Sequence, residues 1–222
     1  MIAAANFDVT AAVILFIVLL ISNTVHEAAH ALFAKLGGDL TAYKGGQVSL
    51  NPLPHIRREP FGMVLLPLIT IVSSGGTMCL GYASAPIDPV WAFHHPKRAA
   101  LVSAAGPLSN LVLAAIAFSV LQYVGRPESS EGDAVRRIAG VFLMLNLLLA
   151  VLNLFPLPPL DGSGVLGGLV KPVRVLYDNL ARLPMFPIAV LVLVMYVMPT
   201  VINPIWNVVN GWLDYRLPYH FG

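Results

Sequence analysis

The first apolar run of the chain, "VTAAVILFIVLLIS" (9–22), leads directly into "TVHEAAHALFAKLGG" (24–38). About 20 predominantly apolar residues are enough to cross the hydrocarbon core of a bilayer as a helix. His26, Glu27 and His30 nevertheless lie within this span. Ionisable groups there cost on the order of several kcal/mol unless they face a polar interior. Their presence therefore indicates a functional site inside the membrane.

The composition is that of an integral membrane protein. Of the 222 residues, 57% are hydrophobic and 11% charged, against roughly 45–50% and about 25% in soluble domains. A net charge of +2 without a basic block gives no indication of a nucleic-acid partner. The single cysteine, Cys79, excludes an internal disulfide and a thiolate metal cage. The first eight residues lack the positive region of a signal peptide, so we expect the first span to be retained.

The pattern of apolar segments predicts an all-α polytopic membrane protein. Four full transmembrane helices are predicted, at 9–35, 99–124, 136–160 and 185–205. A fifth apolar segment, 61–82, contains Pro67 and the run "SSGG" (73–76), so it either spans the membrane or enters and returns. The Gly- and Pro-rich stretch after the first helix is partly alternating, which predicts a short β-like stretch at "GGQVSL" (45–50).

No polar segment is long enough to form a separate soluble domain, so a single membrane-embedded domain over 1–222 is predicted. Its core extends over 9–170, followed by a C-terminal span and an interfacial tail over 171–222. The segment after Asp161 predicts a short interfacial helix. Aromatic residues near the C-terminus fall where an interfacial belt would lie: Trp206, Trp212, Tyr215 and Tyr219.

The stretch 26–30 has the form H-E-x-x-H. Four residues advance a helix by about 400°, so the imidazoles of His26 and His30 leave the same face one turn apart and can share one zinc ion. Glu27 can reach a water molecule at that ion as general base, and zinc lowers the pKa of such water to about 7. The alternative is a chance pentapeptide, with a frequency on the order of 1% in a chain of this size. The position of the motif within a transmembrane span favours the metal site over chance.

A catalytic zinc usually has three protein ligands and one open position, and the third ligand is not fixed by the motif. The metzincin extension is absent, because its glycine and third histidine would fall at Phe33 and Leu36. Other candidates lie in loops or beside a proline, where a surface or interfacial position is the simpler expectation: His55, Glu59, His94 and His95.

Asp161 closes an otherwise apolar segment, "LNLFPLPPLDGSG" (152–164), with no basic partner within a helical turn. Asp-Gly is also a common turn, so Asp161 could simply end the helix. The prolines that precede it free backbone groups that lipid cannot satisfy. This stretch is therefore predicted to line a polar cavity or to pack within protein.

These motifs together resemble those of the site-2 protease family, the intramembrane zinc metalloproteases. "HEAAH" (26–30), "GPLSN" (106–110) and "NLFPLPPLDG" (153–162) stand in the order of that family. "LNPLPHI" (50–56) is similar to the loop after the first motif in compact members. The resemblance extends over about 24–170 and implies a membrane-embedded metalloprotease domain.

The resemblance also implies roles for individual residues. His26, His30 and Asp161 would be the ligands of Zn²⁺, and Glu27 the catalytic base. Asn153 would lie near the zinc and donate a hydrogen bond to the substrate carbonyl.

By the same resemblance, Gly106 and Asn110 would lie on a helix facing the active site. Packing of small residues is the alternative for Gly106, because Ala105, Gly106 and Ser109 form a close-approach face. The sequence departs from many members in having no PDZ or CBS domain, so substrate selection by such a module is not expected.

The predicted function is that of a zinc-dependent intramembrane endopeptidase, which hydrolyses peptide bonds in or near transmembrane segments of membrane protein substrates. One alternative is a catalytically silent membrane protein of the same fold that acts as a binding or regulatory module. A zinc transporter is disfavoured, because the spans supply almost no further acids or histidines to form a path. The partners are then a membrane-spanning substrate and the lipid bilayer, and the oligomeric state stays open.

A shared metal ion sets a condition on the helix directions. His26 and Asp161 both lie toward the C-terminal ends of their segments, so those helices must run parallel to bring them to one depth. Parallel helices need one full span between them, which 99–124 supplies. Segment 61–82 is therefore expected to re-enter rather than to cross.

The distribution of Lys and Arg agrees with this topology. With a re-entrant 61–82, four cations lie on one side and nine on the other: Lys35, Lys44, Arg57, Arg58, Lys97, Arg98, Lys171, Arg174 and Arg182. A crossing segment would give eight against five. By the positive-inside rule the active site is predicted toward the cytoplasmic side of the cell membrane, with the N-terminus outside.

Overall fold

A computed structural model describes residues 7–125 and 130–213 of the chain. Within these ranges the regular structure is helical. In chain order the helices are α1 (Val9–Gly37), α2 (Thr41–Lys44), α3 (Pro52–Arg58), a π-helical turn (Phe61–Leu65) that continues into α4 (Leu66–Ser73), α5 (Pro89–His94), α6 (Pro96–Val124), α7 (Ser130–Asn153), α8 (Asp161–Leu169), α9 (Lys171–Leu180) and α10 (Phe186–Gly211).

Four helices of the described ranges are long and apolar enough to cross a membrane, namely α1, α6, α7 and α10. The prediction of an all-α protein with four full spans is confirmed. The ends of α1 follow from its local sequence. The Asp8 side chain accepts a hydrogen bond from the Ala11 N–H at the start, and Gly38 ends the helix with a φ of 102°. A residue without Cβ suits this left-handed position.

The helices α1 and α7 run in the same direction, with α6 antiparallel to both. The partners of α1 residues on α6 run backwards along the chain: Asn110 for His26, Val102 for His30 and Arg98 for Gly37. On α7, Asn146 contacts Ser22, and Asn153 lines the same cleft as Glu27. The direction expected from a shared metal ion is therefore the direction observed.

The apolar segment 61–82 forms a hairpin whose two ends meet. Its first limb is the helix Phe61–Ser73, and its second limb returns without regular structure. The Tyr82 N–H donates to the Gly62 carbonyl oxygen at 3.0 Å, and the Leu80 N–H donates to Thr70 Oγ1 at 2.9 Å. A Cβ on Gly81 would lie 2.8 Å from the Gly62 carbonyl oxygen, so only glycine allows this approach. The segment folds back on itself, which is the shape expected of a segment that re-enters.

The predicted β-like stretch at 45–50 is wrong. Within the described ranges these residues form turns and bends between α2 and α3, and no strand lies beside them. Gly46 has a φ of 75°, and the Gln47 N–H donates to the Ala42 carbonyl oxygen, which closes the turn. Asn51 then caps α3 with Pro52 in the first helical position, so the chain re-enters helix before a strand can extend.

The predicted end of the third span also needs correction. α7 ends at Asn153 rather than at 160, and Asp161 begins α8 instead of closing α7. The prolines of 154–160 explain the break, because proline lacks the N–H that a continuing helix needs. The short helix predicted after Asp161 is present as α8, followed by α9.

The C-terminal helix α10 packs against α6 and α7. Val190, Val194 and Ile202 are buried against Leu121 and Leu143. Trp206 belongs to this core and is buried, so its assignment to an interfacial belt is wrong. Trp212 is 65% exposed. The predicted belt residues Tyr215 and Tyr219 lie outside the described residues.

Candidate metal centre

Three side chains that are distant in sequence converge at the inner end of the cleft between the spans. Asp161 Oδ2 lies 3.1 Å from His26 Nε2 and 3.3 Å from His30 Nε2. The two Nε2 atoms are 3.0 Å apart. Both imidazoles are buried on α1, whereas the carboxylate comes from the first residue of α8. The structure thus brings together the three residues that the sequence singled out.

The loop before α8 determines where the Asp161 carboxylate lies. A Cβ on Gly162 would collide with the carbonyl groups of Leu154 and Phe155, so the start of α8 packs directly on the end of α7. The Tyr177 hydroxyl on α9 donates to the Pro156 carbonyl oxygen and holds the other side of the loop. The proline-rich stretch therefore packs within protein, as expected, and presents Asp161 to α1.

Gly106 on α6 lies against both imidazole rings. A Cβ at this position would be 2.5 Å from His26 Nε2 and 2.6 Å from His30 Cε1. Any side chain there would therefore occupy the space in front of the nitrogen atoms. Gly106 allows α6 to pack closely against the two imidazole rings. The two alternatives given for Gly106, helix packing and a place at the active site, therefore describe the same contact.

Each imidazole is oriented through its second nitrogen. His30 Nδ1 lies 2.7 Å from the Val102 carbonyl oxygen, and His26 Nδ1 lies 2.6 Å from Asn110 Oδ1. A carbonyl oxygen only accepts, so Nδ1 carries a proton in both rings. The nitrogen left to bind a cation is Nε2, the atom directed at Asp161. Asn110 thus contacts a proposed ligand directly and is fully buried.

Glu27 lies beside the donor atoms and lines the cleft. One of its carboxylate oxygens is within 4.8 Å of the ring nitrogens of His26 and His30. Its Oε2 atom is buried and has no hydrogen-bond partner among the described residues. Because a buried carboxylate without a partner is costly, this group is suited to interact with a bound water molecule or to accept a proton.

The cleft that opens from these residues has a volume of about 670 Å³. It is enclosed by α1, the segment 80–84, the C-terminal end of α7 and the first turns of α10. Asn153 lines it at the end of α7, where its side-chain N–H donates to the Leu149 carbonyl oxygen at 3.0 Å. Most of the remaining lining is apolar, which suits apolar side chains of a bound segment.

The segment 80–84 is a wall of this site that the sequence patterns did not identify. Its backbone, which has no regular secondary structure, is held on one edge, where Ser84 O accepts hydrogen bonds from Gln47 Nε2 and Arg58 Nε. Ser84 Oγ also donates to Glu59 Oε1 at 2.5 Å. Ala83 lines the cleft, and its backbone N–H and C=O make no hydrogen bond within 7–125 and 130–213. One edge of this segment is thus anchored and the other is free.

The remaining candidate ligands do not reach the centre. Glu59 is engaged by Ser84, and a His95 ring nitrogen lies 3.0 Å from the Trp91 carbonyl oxygen. His55 is 1% exposed, with Nε2 at 3.0 Å from the Ser49 carbonyl oxygen, so the expectation of a surface position is wrong. Among the described residues, Glu27 also groups with His26 and His30 as a potential metal ligand, with one ligand atom of each within 4.8 Å of the others.

The donor set fits zinc. Two imidazole nitrogens and one carboxylate oxygen are ligands that zinc accepts in catalytic sites. Both Nδ1 protons are committed to fixed acceptors, which matches the outer-shell pattern of zinc-binding histidines. The unpartnered carboxylate of Glu27 stands next to this set. The fold and the site together define a polytopic helical membrane protein in which two histidines and an aspartate form a candidate metal site.

Comparison with known proteins agrees with this class. The sequence model of peptidase family M50 matches residues 14–132. YwhC of Bacillus subtilis is 38% identical over 165 residues, which is 71% of this chain and 69% of YwhC. Rip2 of Mycobacterium tuberculosis is 31% identical over 194 residues, or 87% of this chain and 67% of Rip2. Rip2 of Mycolicibacterium smegmatis is 31% identical over 153 residues, or 69% of this chain and 56% of Rip2.

These relatives are named as zinc metalloproteases. The matched regions cover between 56% and 69% of the relatives' own lengths. No solved structure matches the chain significantly. The chain belongs to peptidase family M50, the site-2 protease family. It is an integral membrane metalloprotease of a family that uses zinc.

Proposed function

We propose that this protein is an intramembrane endopeptidase that cleaves peptide bonds in or near the transmembrane segments of membrane protein substrates. One observation carries the proposal: His26, Glu27 and Asp161 line a cleft enclosed by apolar helices rather than lying on a soluble domain. A substrate would reach them from the bilayer. The whole catalytic unit is proposed to be a single membrane-embedded domain over 1–222.

His26, His30 and Asp161 are proposed to hold the zinc ion. When bound, zinc supplies a Lewis acid, which polarises a carbonyl oxygen and makes water a better nucleophile at neutral pH. Glu27 accepts a proton from a water molecule as the oxygen of that water attacks the scissile carbonyl carbon. Glu27 then donates this proton to the leaving amine nitrogen as the C–N bond breaks.

Asn153 is proposed to assist by donating a hydrogen bond. Its side-chain N–H now donates to Leu149 O within the same helix, and the residue faces the cleft. A donor placed at the oxygen that becomes negative in the transition state stabilises that charge. Asn153 therefore takes the role of an oxyanion donor once a substrate enters.

A substrate helix must unwind before hydrolysis, because its carbonyl groups are hydrogen-bonded within the helix. The free edge at Ala83 supports a way to hold the unwound segment. Its unpaired backbone N–H and C=O can pair with an extended peptide by strand addition, while the apolar cleft accepts the side chains. Residues 45–50 are not proposed for this role, because the strand-like character predicted there is not observed.

The proposal is tested by the cleavage of single-span peptides by the purified protein in liposomes. Two matched peptides differ only in a Leu-Leu or Gly-Gly pair in the middle of the apolar segment. We expect cleavage within or next to that segment, faster for Gly-Gly because its helix unwinds more easily. A zinc chelator should stop both reactions, and added zinc should restore them. Stoichiometric zinc without cleavage of either peptide would favour a catalytically silent binding module.

We further propose that the active site lies toward the cytoplasmic side. Cationic side chains surround this end of the fold, including Arg98, which donates to Gly37 O, and Arg58, which donates to Ser84 O. The positive-inside rule assigns such an end to the cytoplasm.

Cysteine labelling tests this orientation. Leu50 and Val90 are 72% and 64% exposed, so Leu50→Cys and Val90→Cys place accessible thiols at that end. The native Cys79 is buried, so it reacts slowly and gives a low background. We expect a membrane-impermeant reagent to label both variants in inside-out vesicles and neither in right-side-out vesicles. Labelling of positions 50 and 90 from opposite sides would contradict the topology.

A further inference from the structure

We propose that Asn146 is a positioning residue for zinc binding, which fixes the proton of His26 on Nδ1 through Asn110. This inference rests on the proposed role of His26 as a ligand. Asn146 lies in the middle of α7, is fully buried, and touches none of the donor atoms. A polar side chain inside an apolar span is costly unless its hydrogen bonds are satisfied. At Asn146 they are satisfied in one specific arrangement.

The orientation of the Asn146 side chain is set by a backbone carbonyl group, which can only accept hydrogen bonds. Asn146 Nδ2 donates to the Phe142 carbonyl oxygen and to Ser22 Oγ, both at 2.9 Å. The Phe142 carbonyl cannot donate, so the amide of Asn146 cannot be turned around without losing this bond. Its Oδ1 atom must therefore face Asn110, whose Nδ2 donates to it at 2.8 Å.

The orientation of the Asn146 amide in turn determines the orientation of the Asn110 amide. With Nδ2 of Asn110 committed to Asn146, its Oδ1 is the atom presented to His26 Nδ1 at 2.6 Å. An oxygen acceptor requires a proton on that nitrogen, so His26 keeps Nε2 free for the metal. Without Asn146, the Asn110 amide can turn and offer its N–H₂ group to His26 instead. His26 would then be stabilised with its proton on Nε2, the form that cannot bind the ion.

His30 provides an internal comparison. Its Nδ1 proton is fixed directly by the Val102 carbonyl oxygen, which needs no side chain to orient it. The two ligands on α1 are therefore set by different means. Loss of Asn146 should change His26 and leave His30 as it is.

The test uses Asn146→Leu, which keeps the approximate shape but removes all three hydrogen bonds. Asn146→Ala removes the same hydrogen bonds with a smaller side chain, and it replaces Asn146→Leu in the test if the leucine variant folds poorly. We expect zinc affinity, measured by competition with a chelator, to fall about 10–100-fold, the range for loss of an outer-shell partner. In zinc-free protein at a pH where histidine is neutral, ¹⁵N NMR should show the His26 proton shared between Nδ1 and Nε2, with His30 unchanged.

Two controls separate positioning from general destabilisation. Leu143→Ala removes a side chain that is equally buried on α7 but belongs to the core with α10. It should lower thermal stability while zinc affinity and the His26 tautomer stay as in the wild type. Ser22→Ala removes one acceptor of Asn146 but leaves the Phe142 anchor, so its tautomer should also be retained.

The tautomer and the affinity are measured on the protein without any substrate, so a failure of the proposed proteolysis leaves this test intact. An unchanged His26 tautomer in Asn146→Leu and Asn146→Ala would overturn the proposal, whether or not zinc affinity falls. Unchanged zinc affinity with an altered tautomer would overturn it as well.

Discussion

Glu27→Gln is expected to bind zinc as the wild type does and to lower kcat by about 10²–10⁴-fold, the usual contribution of a general base. The substitution preserves the size of a buried side chain that lines the cleft beside the ligands. It removes the ability to accept a proton, because an amide oxygen is far less basic than a carboxylate. The donor atoms of His26, His30 and Asp161 are untouched. This variant should therefore retain zinc binding while it loses peptide hydrolysis.

The measurement pairs zinc content with the turnover of a single-span peptide. A matched control is Glu131→Gln, which makes the same change at an exposed position on the first turn of α7. This control should keep both zinc and wild-type turnover. Full activity in Glu27→Gln would remove Glu27 from the mechanism, and loss of zinc in it would show that Glu27 acts as a ligand instead.

The features predicted from the sequence are those set by local spacing or by the membrane. A four-residue step on a helix places His26 and His30 on one face wherever the helix lies. The hydrocarbon thickness fixes the approximate length of each span, which is why four spans could be placed, although α7 begins and ends earlier than predicted and α10 ends later. The helix directions followed from one further condition, that Asp161 must reach the same depth as the two histidines.

The features that were missed depend on partners far away in the chain. Ser84 is held by Gln47 and Arg58, which are 37 and 26 residues away, and no local periodicity encodes such bonds. The β-like stretch predicted at 45–50 was wrong because apolar and polar residues alternate there within a glycine turn, and no second strand in the described part of the chain pairs with them.

Buried polar residues were visible in the sequence as exceptions within apolar runs, but their partners were not. Asn146 stands in "FLMLNLLLA" (142–150) as the one polar side chain, and its bonds reach Ser22 and Asn110 across two helix interfaces. His55, which lies on the short helix α3, likewise gave no sign of burial, because the sequence around it is rich in proline and is followed directly by two arginines. A polar residue inside a span therefore indicates a network, and only the fold identifies its members.

Asp161→Ala is expected to abolish stable zinc binding, and with it all peptide cleavage. The substitution removes the only carboxylate oxygen that lies 3.1 and 3.3 Å from the two imidazole nitrogens in the described parts of the chain. Zinc affinity should fall by more than about 100-fold, since even an outer-shell partner contributes about 10–100-fold. Zinc content after dialysis and competition with a chelator would measure this loss.

Glu59→Ala is the matched control, because Glu59 is the other carboxylate that the sequence offers as a third ligand. In the fold its Oε1 accepts from Ser84 Oγ at 2.5 Å, away from the imidazole nitrogens. We therefore expect Glu59→Ala to retain stoichiometric zinc, whatever its effect on the cleft wall. The reverse result, zinc kept in Asp161→Ala and lost in Glu59→Ala, would assign the third ligand to the hairpin side of the cleft. The loop that presents Asp161 would then have no role in metal binding.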